Sequence, residues 1–397
     1  MRIARRAREI SPSPTLAIDA RAKEMVASGV KVFNFSAGEP DFDTPPHIKE
    51  AAVAALERGM TKYTPVGGTP ELRKAICRKL KDENGLDYQP EQIVVSAGAK
   101  HSLYNAMQVL LEPGDEVILP LPYWVSYLEQ IKLAGAVPIL VQTRPENGFK
   151  LTAEELLSAV TRRTRMVIIN SPGNPTGAVY TREELQSLGE VIEKNNLIVI
   201  SDEIYEKLVY DGCQHVSIAS LSPDLKERTV VINGVSKAYA MTGWRIGYAA
   251  APVAVAKAMV DFQSHTTSNP TSIAQAASVA ALCGSQEPLQ QLVGEFRRRR
   301  DYMWERLNAM PGISCLKPQG AFYLFPSVAA LIGRSYKGQP IRGSGDLARI
   351  LLEEAQVAVV PGVAFGDDRY LRLSYATSME DIVEGLDRME EVLRQVQ

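Results

Sequence analysis

The sequence lacks the features that mark membrane, disulfide-rich and zinc-binding proteins. None of its apolar runs is long enough to span a bilayer, which excludes a transmembrane role. Only 4 of its 397 residues are cysteines, at positions 77, 213, 283 and 315, and no two have CxxC spacing. We therefore expect reduced thiols of a cytosolic protein rather than a disulfide framework. The 4 histidines also lack ligand spacing, so no metal site is predicted.

The sequence also has little excess of charge. Its 44 Lys and Arg against 46 Asp and Glu leave a net charge of -2, so no general attraction to nucleic acid or to an anionic membrane is expected. Arginines stand at positions 2, 5, 6 and 8, but no apolar segment follows them, so they do not form a secretory signal. A plain N-terminal arm is favoured over a trimmed organelle-targeting remnant.

Length and hydrophobic pattern indicate a large α/β protein. A chain of 397 residues exceeds a single small core, so two domains are expected. From about residue 90, short apolar runs alternate with helical segments, at 92–96, 116–119, 137–141, 166–170, 197–202, 229–233 and 246–250. Runs without polar alternation predict a mostly parallel sheet covered on both faces. Ligands of such sheets bind beyond the strand ends, mainly the carboxyl ends.

A lysine stands at one of these strand ends. Lys237 lies among small residues just after the apolar run Thr229–Asn233, and Arg245 follows inside a glycine-flanked segment. Burial lowers the pKa of a lysine and makes its amine a good nucleophile for an aldehyde. A nearby guanidinium could grip a phosphate. Together they suggest a Schiff base to pyridoxal 5′-phosphate, although a lone lysine is more often simply solvated in a turn.

Two further strand ends carry candidates for ligand contacts. In the segment 95–101, small residues turn a strand into a helix, and the backbone N–H groups of Gly98, Ala99 and Lys100 would face an anion. A tight structural turn explains these residues equally well, and the segment matches neither GxGxxG nor GxxxxGK[ST]. Trp124 lies just past the next strand, where it could stack on a flat ring or pack in the core.

The remaining candidates are an amide, a carboxylate and a phenol. Asn174 lies in the rigid loop 170–177, where it either caps the backbone or reaches a ligand. Asp202 ends a very apolar strand, where a carboxylate needs a cationic partner such as a pyridinium N–H; a helix N-cap is the competing interpretation. Tyr205 follows three residues later and could bond a phenolic oxygen. Each signal is moderate or weak alone, and their combination is specific.

The motifs resemble those of fold-type I, class I aminotransferases that use pyridoxal phosphate, in particular bacterial aspartate aminotransferases of the I-beta subgroup. The resemblance covers essentially the whole chain. It rests on the motifs Ala37-Gly-Glu-Pro-Asp-Phe42, Asn174-Pro-Thr-Gly177, Ser201-Asp-Glu-Ile-Tyr205, Ser236-Lys-Ala-Tyr-Ala-Met-Thr-Gly-Trp-Arg245 and Leu371-Arg-Leu-Ser-Tyr-Ala376, with Pro122-Tyr-Trp124 less specific.

The resemblance implies a role for residues around the cofactor ring. Lys237 would hold pyridoxal 5′-phosphate and then shuttle the proton between Cα and C4′ in a ping-pong cycle between pyridoxal and pyridoxamine forms. Asp202 would pair with the pyridine nitrogen, and Tyr205 and Asn174 would contact the phenolic oxygen. Trp124 would lie on the ring.

The resemblance also implies the phosphate and carboxylate contacts. The phosphate would be held by Gly98, Ala99, Ser236 and Arg245, joined by Tyr63 from the partner subunit of a homodimer. Arg372 would clamp the substrate α-carboxylate, with help from the Gly38 backbone and from Asn174. One departure concerns Gly234, which stands where animal and enteric relatives carry a phosphate-binding serine, so the exact phosphate shell stays open.

Substrate choice depends on the second carboxylate. Those same relatives bind it with an arginine from the partner subunit, and the matching stretch 263–275 contains none. In the I-beta subgroup a lysine does this, and Lys100 matches it; a solvated lysine is the alternative. Relatives that also transaminate prephenate carry a threonine at the position of Thr15 together with this lysine. The resemblance therefore implies exchange between aspartate or glutamate and 2-oxoglutarate or oxaloacetate, with prephenate as a further acceptor.

The expected domains are an N-terminal arm with part of a small domain at 1–45, a large cofactor-binding domain at 46–285 and a small domain at 286–397. Residues Ser11 to Thr15 are expected to be extended before a helix that ends near Ser28. Arg297 to Arg300 are expected on a solvated face of a helix over 286–309. In the small domain, strands are expected at 31–35, 321–325, 357–360 and 370–374, and Arg372 would close over substrate.

The same cofactor also serves other functions. An aminotransferase of aromatic or other neutral amino acids, or a lyase, decarboxylase or synthase, would share the fold and the lysine. Arg372 argues against decarboxylation because it would hold the carboxylate in place. A transcription regulator that kept the fold would need a DNA-binding helix-turn-helix and a basic surface, and neither is visible in the sequence.

Overall fold

A computed structural model describes residues 2–12 and 14–397. The strands are β1 Phe33–Asn34, β2 Ile93–Ser96, β3 Glu116–Leu121, β4 Val137–Gln142, β5 Thr164–Asn170, β6 Ile198–Asp202, β7 Thr229–Gly234, β8 Gly247–Ala250, β9 Tyr323–Leu324, β10 Ser335–Tyr336, β11 Gln339–Pro340, β12 Val357–Ala358, β13 Val360–Pro361 and β14 Leu371–Ser374. The α-helices are α1 Arg5–Glu9, α2 Pro14–Ala27, α3 Pro46–Glu57, α4 Pro70–Asn84, α5 Ala99–Leu110, α6 Ser126–Leu133, α7 Ala153–Ala159, α8 Arg182–Lys194, α9 Pro223–Arg228, α10 Val253–Ser264, α11 Ser272–Cys283, α12 Glu287–Ala309, α13 Ser344–Glu354 and α14 Met379–Leu393.

A seven-stranded sheet organises the chain, in the order β2-β8-β7-β6-β5-β3-β4. All neighbours are parallel except β8, which runs antiparallel to both β2 and β7. The seven predicted apolar runs are these seven strands, with ends that differ by one or two residues. The prediction of an α/β fold with a mostly parallel sheet is therefore confirmed.

Both faces of the inner strands are buried, whereas the edge strand β4 has no fully buried residue and exposes Val137 and Leu140. Because side chains alternate across a strand, Met166 and Ile168 of β5 pack with α5, α6 and α10, whereas Val167 and Ile169 pack on the opposite face with α7, α8 and α9. Because helices cover both faces, the ends of the strands are the part of the sheet that is open to a ligand. The carboxyl ends of β3, β5, β6 and β7 meet there.

The N-terminal and C-terminal parts of the chain form smaller sheets together. Strand β1 pairs in parallel with β12, and β14 lies between β13 and β9 in an antiparallel sheet. The strands here are shorter than the sequence indicated: the run 321–325 contains a strand only at 323–324, and 357–360 is divided between β12 and β13. Helix α2 begins at Pro14, so the expected extended stretch is wrong at residues 14 and 15, and residue 13 lies outside the described part.

The four arginines from Arg297 to Arg300 do not share a solvated face. Arg297 and Arg298 are exposed, but Arg299 is buried and Arg300 is 0 % exposed. Successive residues of an α-helix are about 100° apart, so four in a row cannot all point away from the core. Arg300 is held by Asp211 at 2.8 Å and by the carbonyl of Pro318 at 3.0 Å. The expectation is wrong for two of the four residues.

The cysteines and the helices agree with the composition. All four cysteines are free thiols. Among the described residues, no helix combines the length and the apolar character needed to cross a membrane. Thr69 caps α4, because its hydroxyl accepts a hydrogen bond from the N–H of Leu72.

Candidate active site

A cavity of about 410 Å³ opens at the carboxyl ends of the central strands. It lies between the large sheet and the segments that carry β1 and β14. Every predicted site residue lines it except Gly98 and Tyr63. Gly98 lies directly behind the lining, against Arg245, whereas the Tyr63 side chain is 90 % exposed on a separate surface loop. The structure thus brings together residues from 15 to 372 that are far apart in sequence.

Lys237 enters the cavity from the turn after β7. Its Nζ donates a hydrogen bond to the carbonyl oxygen of Gly38 at 2.6 Å and lies 5.9 Å from the centre of the Tyr205 ring. Desolvation lowers the pKa of the amine to about 8, and the cations Arg245 and Arg372 add to this, while Glu39 opposes it. Lys237 thus lies partly buried in the cavity, and not on an open turn as the competing interpretation expected. With this pKa, roughly a tenth of the amine is neutral, hence nucleophilic, at pH 7.

The turn before α5 and Arg245 form a cationic corner beside Lys237. Gly98 has φ +90°, and a Cβ there would lie 2.2 Å from Arg245 Nη2, so only glycine allows this approach. Arg245 Nη1 donates to the carbonyl of Thr242 at 2.8 Å. Ala99 is the first residue of α5, where N–H groups have no acceptor within the helix. Ser236 lines the same corner.

One detail of the anion turn differs from the prediction. The N–H of Gly98 is not free, because it donates to the carbonyl of Ser96 at 2.8 Å. Of the three predicted donors, only the N–H groups of Ala99 and Lys100 belong to the open first turn of the helix. Gly98 contributes its small size and its φ rather than a free donor.

Asp202 lies at the floor of the cavity, at the end of β6, and is 3 % exposed. Its Oδ2 accepts from the Tyr127 hydroxyl at 2.6 Å, and its Oδ1 accepts from the N–H of Ile204 at 3.3 Å. No helix begins after it, so the N-cap interpretation is wrong. Burial raises the pKa of the carboxyl to about 6 despite the Tyr127 bond. Within the described residues no cation forms an ion pair with it.

Two tyrosines that the sequence did not single out also belong to the floor of the cavity. Tyr127 donates to Asp202, and the hydroxyl of Tyr323 lies 2.9 Å from that of Tyr205. Burial holds the pKa of Tyr205 well above its usual range. Tyr127 lies three residues after Trp124, which is the spacing of one helical turn and could have indicated it. Nothing local distinguishes Tyr323 from its apolar neighbours.

Arg372, from the middle of β14, forms the opposite wall and is 2 % exposed. Its Nη1 donates to Asn174 Oδ1 at 3.1 Å, and its Nη2 donates to the carbonyl of Ser36 at 2.7 Å. Its guanidinium stacks 4.4 Å from the centre of the Tyr323 ring, and its Nε has no partner among the described residues. No ion pair to Arg372 occurs in that part of the chain either. Asn174 therefore contacts this guanidinium instead of capping the backbone.

The mouth of the cavity is formed by Trp124, Lys100 and Thr15. The Nζ of Lys100 lies 4.9 Å from the centre of the Trp124 ring. Desolvation and the neighbouring Arg245 lower the pKa of Lys100. Trp124 packs nearly perpendicular to Tyr127, with the ring centres 5.3 Å apart. Thr15 reaches this mouth from α2.

The departure at Gly234 has a structural reason. A Cβ at this position would lie 2.9 Å from the carbonyl oxygen of Ile246 and 3.0 Å from the Cα of Gly247, the residue opposite it on β8. A serine here would require the two strands to move apart. The close packing of β7 and β8 thus favours glycine.

Behind Asp202 lies a buried charged network that the sequence did not reveal. Glu203 accepts from His215 Nε2 at 3.0 Å and from the hydroxyl of Ser217 at 2.6 Å, while Glu206 bonds the ammonium of Lys79. Of the described residues, only Glu203, Glu206 and His215 bring three ligand-type side chains within 4.8 Å of one another. Protein donors already hold both carboxylates. The network fixes the turn that follows Asp202.

The cavity therefore combines a nucleophilic amine and a cationic helix start with a buried carboxylate and a buried guanidinium, neither of which has an ion-pair partner in the described part of the chain. Such an arrangement suits an aldehyde cofactor that condenses with the amine and a substrate that carries a carboxylate. A family model for class I and II aminotransferases matches residues 30–389, and the chain belongs to this family. It is an aminotransferase that depends on pyridoxal 5′-phosphate, as the family is.

Individual relatives are similar over their full length. The chain is 53 % identical over 392 residues to an aspartate aminotransferase of Geobacillus stearothermophilus, covering 98 % of both sequences. It is 48 % identical over 396 residues to an aspartate/prephenate aminotransferase of Nitrosomonas europaea, covering 99 % of this chain and 100 % of the relative. The crystal structure of the aspartate aminotransferase from Rhizobium meliloti superposes with a TM-score of 0.96, at 48 % identity and 100 % coverage of both chains.

Proposed function

We propose that the chain is an aspartate aminotransferase. It moves the amino group between L-aspartate or L-glutamate and 2-oxoglutarate or oxaloacetate in two half-reactions. The observation that carries the proposal is the Arg372 guanidinium, buried beside the Lys237 amine without an ion-pair partner among the described residues. A buried charge is costly unless it is paired, so this guanidinium is suited to receive a substrate carboxylate.

The residues of the cavity fit pyridoxal 5′-phosphate. Asp202 is a buried carboxylate that would pair with the protonated pyridine nitrogen, and its tyrosine bond orients it for this. Tyr205 and Asn174 would contact the phenolic oxygen, and Trp124 would lie on the ring. Gly98, Ala99, Ser236 and Arg245 would hold the phosphate. When bound, the cofactor draws electron density from the substrate Cα and eases the loss of its proton.

Each half-reaction would then depend on two basic residues, Lys237 and Arg372. Lys237 would bind the cofactor aldehyde carbon and afterwards carry the proton between the substrate Cα and the cofactor C4′. Its lowered pKa keeps part of the amine free to accept that proton. Arg372 would hold the α-carboxylate through two parallel hydrogen bonds, with Gly38 and Asn174 beside it, and so fix the Cα bonds relative to the ring.

Lys100 and Thr15 would set the preference for dicarboxylates. Lys100 is a cation at the cavity mouth, at the start of α5, where it opposes the helix dipole unless an anion lies nearby. The relatives named for aspartate and for aspartate and prephenate support this assignment. Prephenate, also a dicarboxylate, would be a further amino-group acceptor and would give arogenate.

We further propose that the protein is a cytoplasmic homodimer with shared sites. Tyr63 is 90 % exposed and would reach the phosphate of the partner subunit. Four free thiols are typical of a reducing compartment. Residues 1–45, as N-terminal arm and part of the small domain, would join residues 286–397 through the pairing of β1 with β12. Residues 46–285 would form the large cofactor-binding domain.

A single-turnover screen tests the substrate assignment. The holoprotein is mixed with L-aspartate, L-glutamate or L-phenylalanine without any acceptor, and the 2-oxo acid released is counted per subunit. About one oxaloacetate per subunit is expected with L-aspartate, and later addition of 2-oxoglutarate or prephenate should restore the starting absorbance. Release from L-phenylalanine alone would favour an aminotransferase of neutral amino acids, and no release would contradict the proposal.

A further inference from the structure

The side chain of Gln263 joins two loops at the end of α10 and is 0 % exposed. Its Oε1 accepts from the Ser96 hydroxyl at 2.7 Å and from Asn105 Nδ2 at 2.9 Å. Its Nε2 donates to the carbonyl oxygens of Val66 at 2.8 Å and Val95 at 2.9 Å. Both amide hydrogens and two acceptor positions are thus used, so this side chain has one defined orientation.

On one side, Gln263 holds the turn that starts α5. Ser96 is the last residue of β2, and Asn105 lies within α5. The two groups that donate to Gln263 therefore lie on either side of that turn, one on the strand and one on the helix. The N–H of Ala99 and the guanidinium of Arg245 meet at this turn. A shift of the helix relative to the strand would move the first-turn N–H groups away from the anion that they would bind.

On the other side, Gln263 holds a surface loop over residues 61–69. A second buried amide, Gln275, fixes the same loop, because its Nε2 donates to the Thr64 hydroxyl at 3.1 Å and its Oε1 accepts from the N–H of Thr69 at 2.8 Å. Tyr63 directly precedes Thr64, yet its side chain is 90 % exposed. A loop fixed from inside that turns a tyrosine outward is suited to present that tyrosine to another molecule.

We propose that Gln263 is a positioning residue for both halves of a phosphate site shared between two copies of the chain. It fixes the α5 turn of its own subunit and, through Val66, the loop that delivers Tyr63 to the partner. Gln275 serves the second task alone. The inference rests on the proposed function, because it takes Tyr63 as a contact to the cofactor of the partner subunit.

The test is a double-mutant cycle on cofactor affinity. Gln263→Met keeps the length of the side chain but removes its four hydrogen bonds, and Tyr63→Phe removes the hydroxyl that the loop would deliver. The dissociation constant of pyridoxal 5′-phosphate is measured by titrating the apoprotein and following its absorbance. We expect Gln263→Met to raise this constant about tenfold in the parent protein and about threefold or less in the Tyr63→Phe background, because interacting sites are not additive.

Two further variants separate the tasks. Gln275→Met should weaken cofactor binding in the parent and have no effect in the Tyr63→Phe background, because it holds only the outer loop. Ser278→Ala is the matched control: Ser278 is buried in the same helix as Gln275, but among the described residues its hydroxyl bonds only the carbonyl of Ala274, one turn earlier. Its dissociation constant should equal that of the parent.

The outcomes distinguish the inference from the function beneath it. If Tyr63→Phe leaves the constant unchanged, the assignment of Tyr63 fails and the inference with it. If Tyr63→Phe weakens binding but Gln263→Met acts by the same factor in both backgrounds, only the inference is overturned. The inference is also overturned if Gln263→Met lowers the melting temperature but leaves the affinity for pyridoxal 5′-phosphate unchanged. If Gln263→Met does not fold, Ser96→Ala, which removes one bond to Gln263, replaces it in the cycle with the same criteria.

Discussion

The Arg372 guanidinium donates a hydrogen bond to Asn174 Oδ1 at 3.1 Å and thereby joins β14 to the loop after β5. These residues are 198 positions apart in sequence, and the contact lies in the wall of the cavity. The guanidinium has only neutral hydrogen-bond partners among the described residues, because Asn174 and the Ser36 carbonyl carry no charge. Its positive charge is thus oriented but not neutralised, which is the state expected of a carboxylate-binding site before substrate arrives.

Replacing this arginine should weaken substrate binding in the transition state. We expect Arg372→Lys to lower kcat/KM for L-aspartate by about a hundredfold, since a lysine cannot form the two parallel bonds of a guanidinium. Cofactor binding should be retained. The control is Arg369→Lys, at an arginine of the same segment that pairs with Asp367 at 2.7 Å and is exposed. Equal effects of the two substitutions would contradict the role of Arg372.

The position of Lys100 at the cavity mouth predicts a selective loss. Lys100→Ala should lower kcat/KM about tenfold more for L-aspartate than for L-phenylalanine, because only the former has a second carboxylate to pair with the ammonium. Lys257→Ala, at an exposed lysine of α10, serves as the control for loss of a positive charge. If both amino acids lose the same factor in Lys100→Ala, the lysine is merely solvated.

Asp202 should make the stability of the apoprotein depend on pH. Its pKa is raised to about 6 in the folded chain, above the unfolded value of 3.8, so the folded state binds the proton more tightly. The corresponding stability is present below the unfolded pKa and is lost as pH rises through about 6. We therefore expect the free energy of unfolding of Asp202→Asn, relative to the parent apoprotein, to rise by about 1 to 2 kcal/mol between pH 5 and pH 7.5.

Urea denaturation of both apoproteins at several pH values measures this difference. A difference that is flat with pH would show that the Asp202 carboxyl is not perturbed by burial. A matching test with cofactor present should show the reverse preference, since the carboxylate would then face a cationic pyridine nitrogen.

Gly98 predicts a steric effect on the phosphate corner. Gly98→Ala places a Cβ 2.2 Å from Arg245 Nη2 at a residue with φ +90°, so both the backbone and the guanidinium must shift. We expect about tenfold weaker cofactor binding. Gly85→Ala is the matched control, because Gly85 also has positive φ but has nothing within 4 Å of the added Cβ. It should cost stability alone, and an equal loss of cofactor affinity would exclude the steric explanation.

The large sheet was predictable because its signal is local. Each strand is an unbroken apolar run, and burial on both faces needs no knowledge of neighbouring strands. Asp202 and Lys237 could be predicted for the same reason, since each is a charged residue at the end of such a run. Arg299 and Arg300 show the limit of this approach. Four arginines in a row look solvated, but helical geometry turns two of them towards Asp41 and Asp211.

The parts that were missed depend on contacts between distant segments. Tyr323 becomes part of the site through the Tyr205 hydroxyl, 118 residues away in sequence, and through the Arg372 guanidinium that stacks on its ring. The bond from the Gly98 N–H to Ser96 is too fine a detail of the turn to follow from residue types. The network of Glu203 and Glu206 needs Lys79 from α4 and His215 from a later loop. No local sequence pattern connects either residue to the two carboxylates.

The central claim, that Lys237 carries the cofactor, is tested by chemical fixation. The holoprotein is reduced with borohydride, digested, and the labelled peptide is identified by mass spectrometry. The label is expected on Lys237 alone, and Lys237→Ala should bind the cofactor reversibly, lose turnover and take up no fixed label. Lys100 is the informative competitor, because it lines the same cavity and its pKa is also lowered. A label on Lys100 or on any other lysine, or normal turnover of Lys237→Ala, would contradict the account.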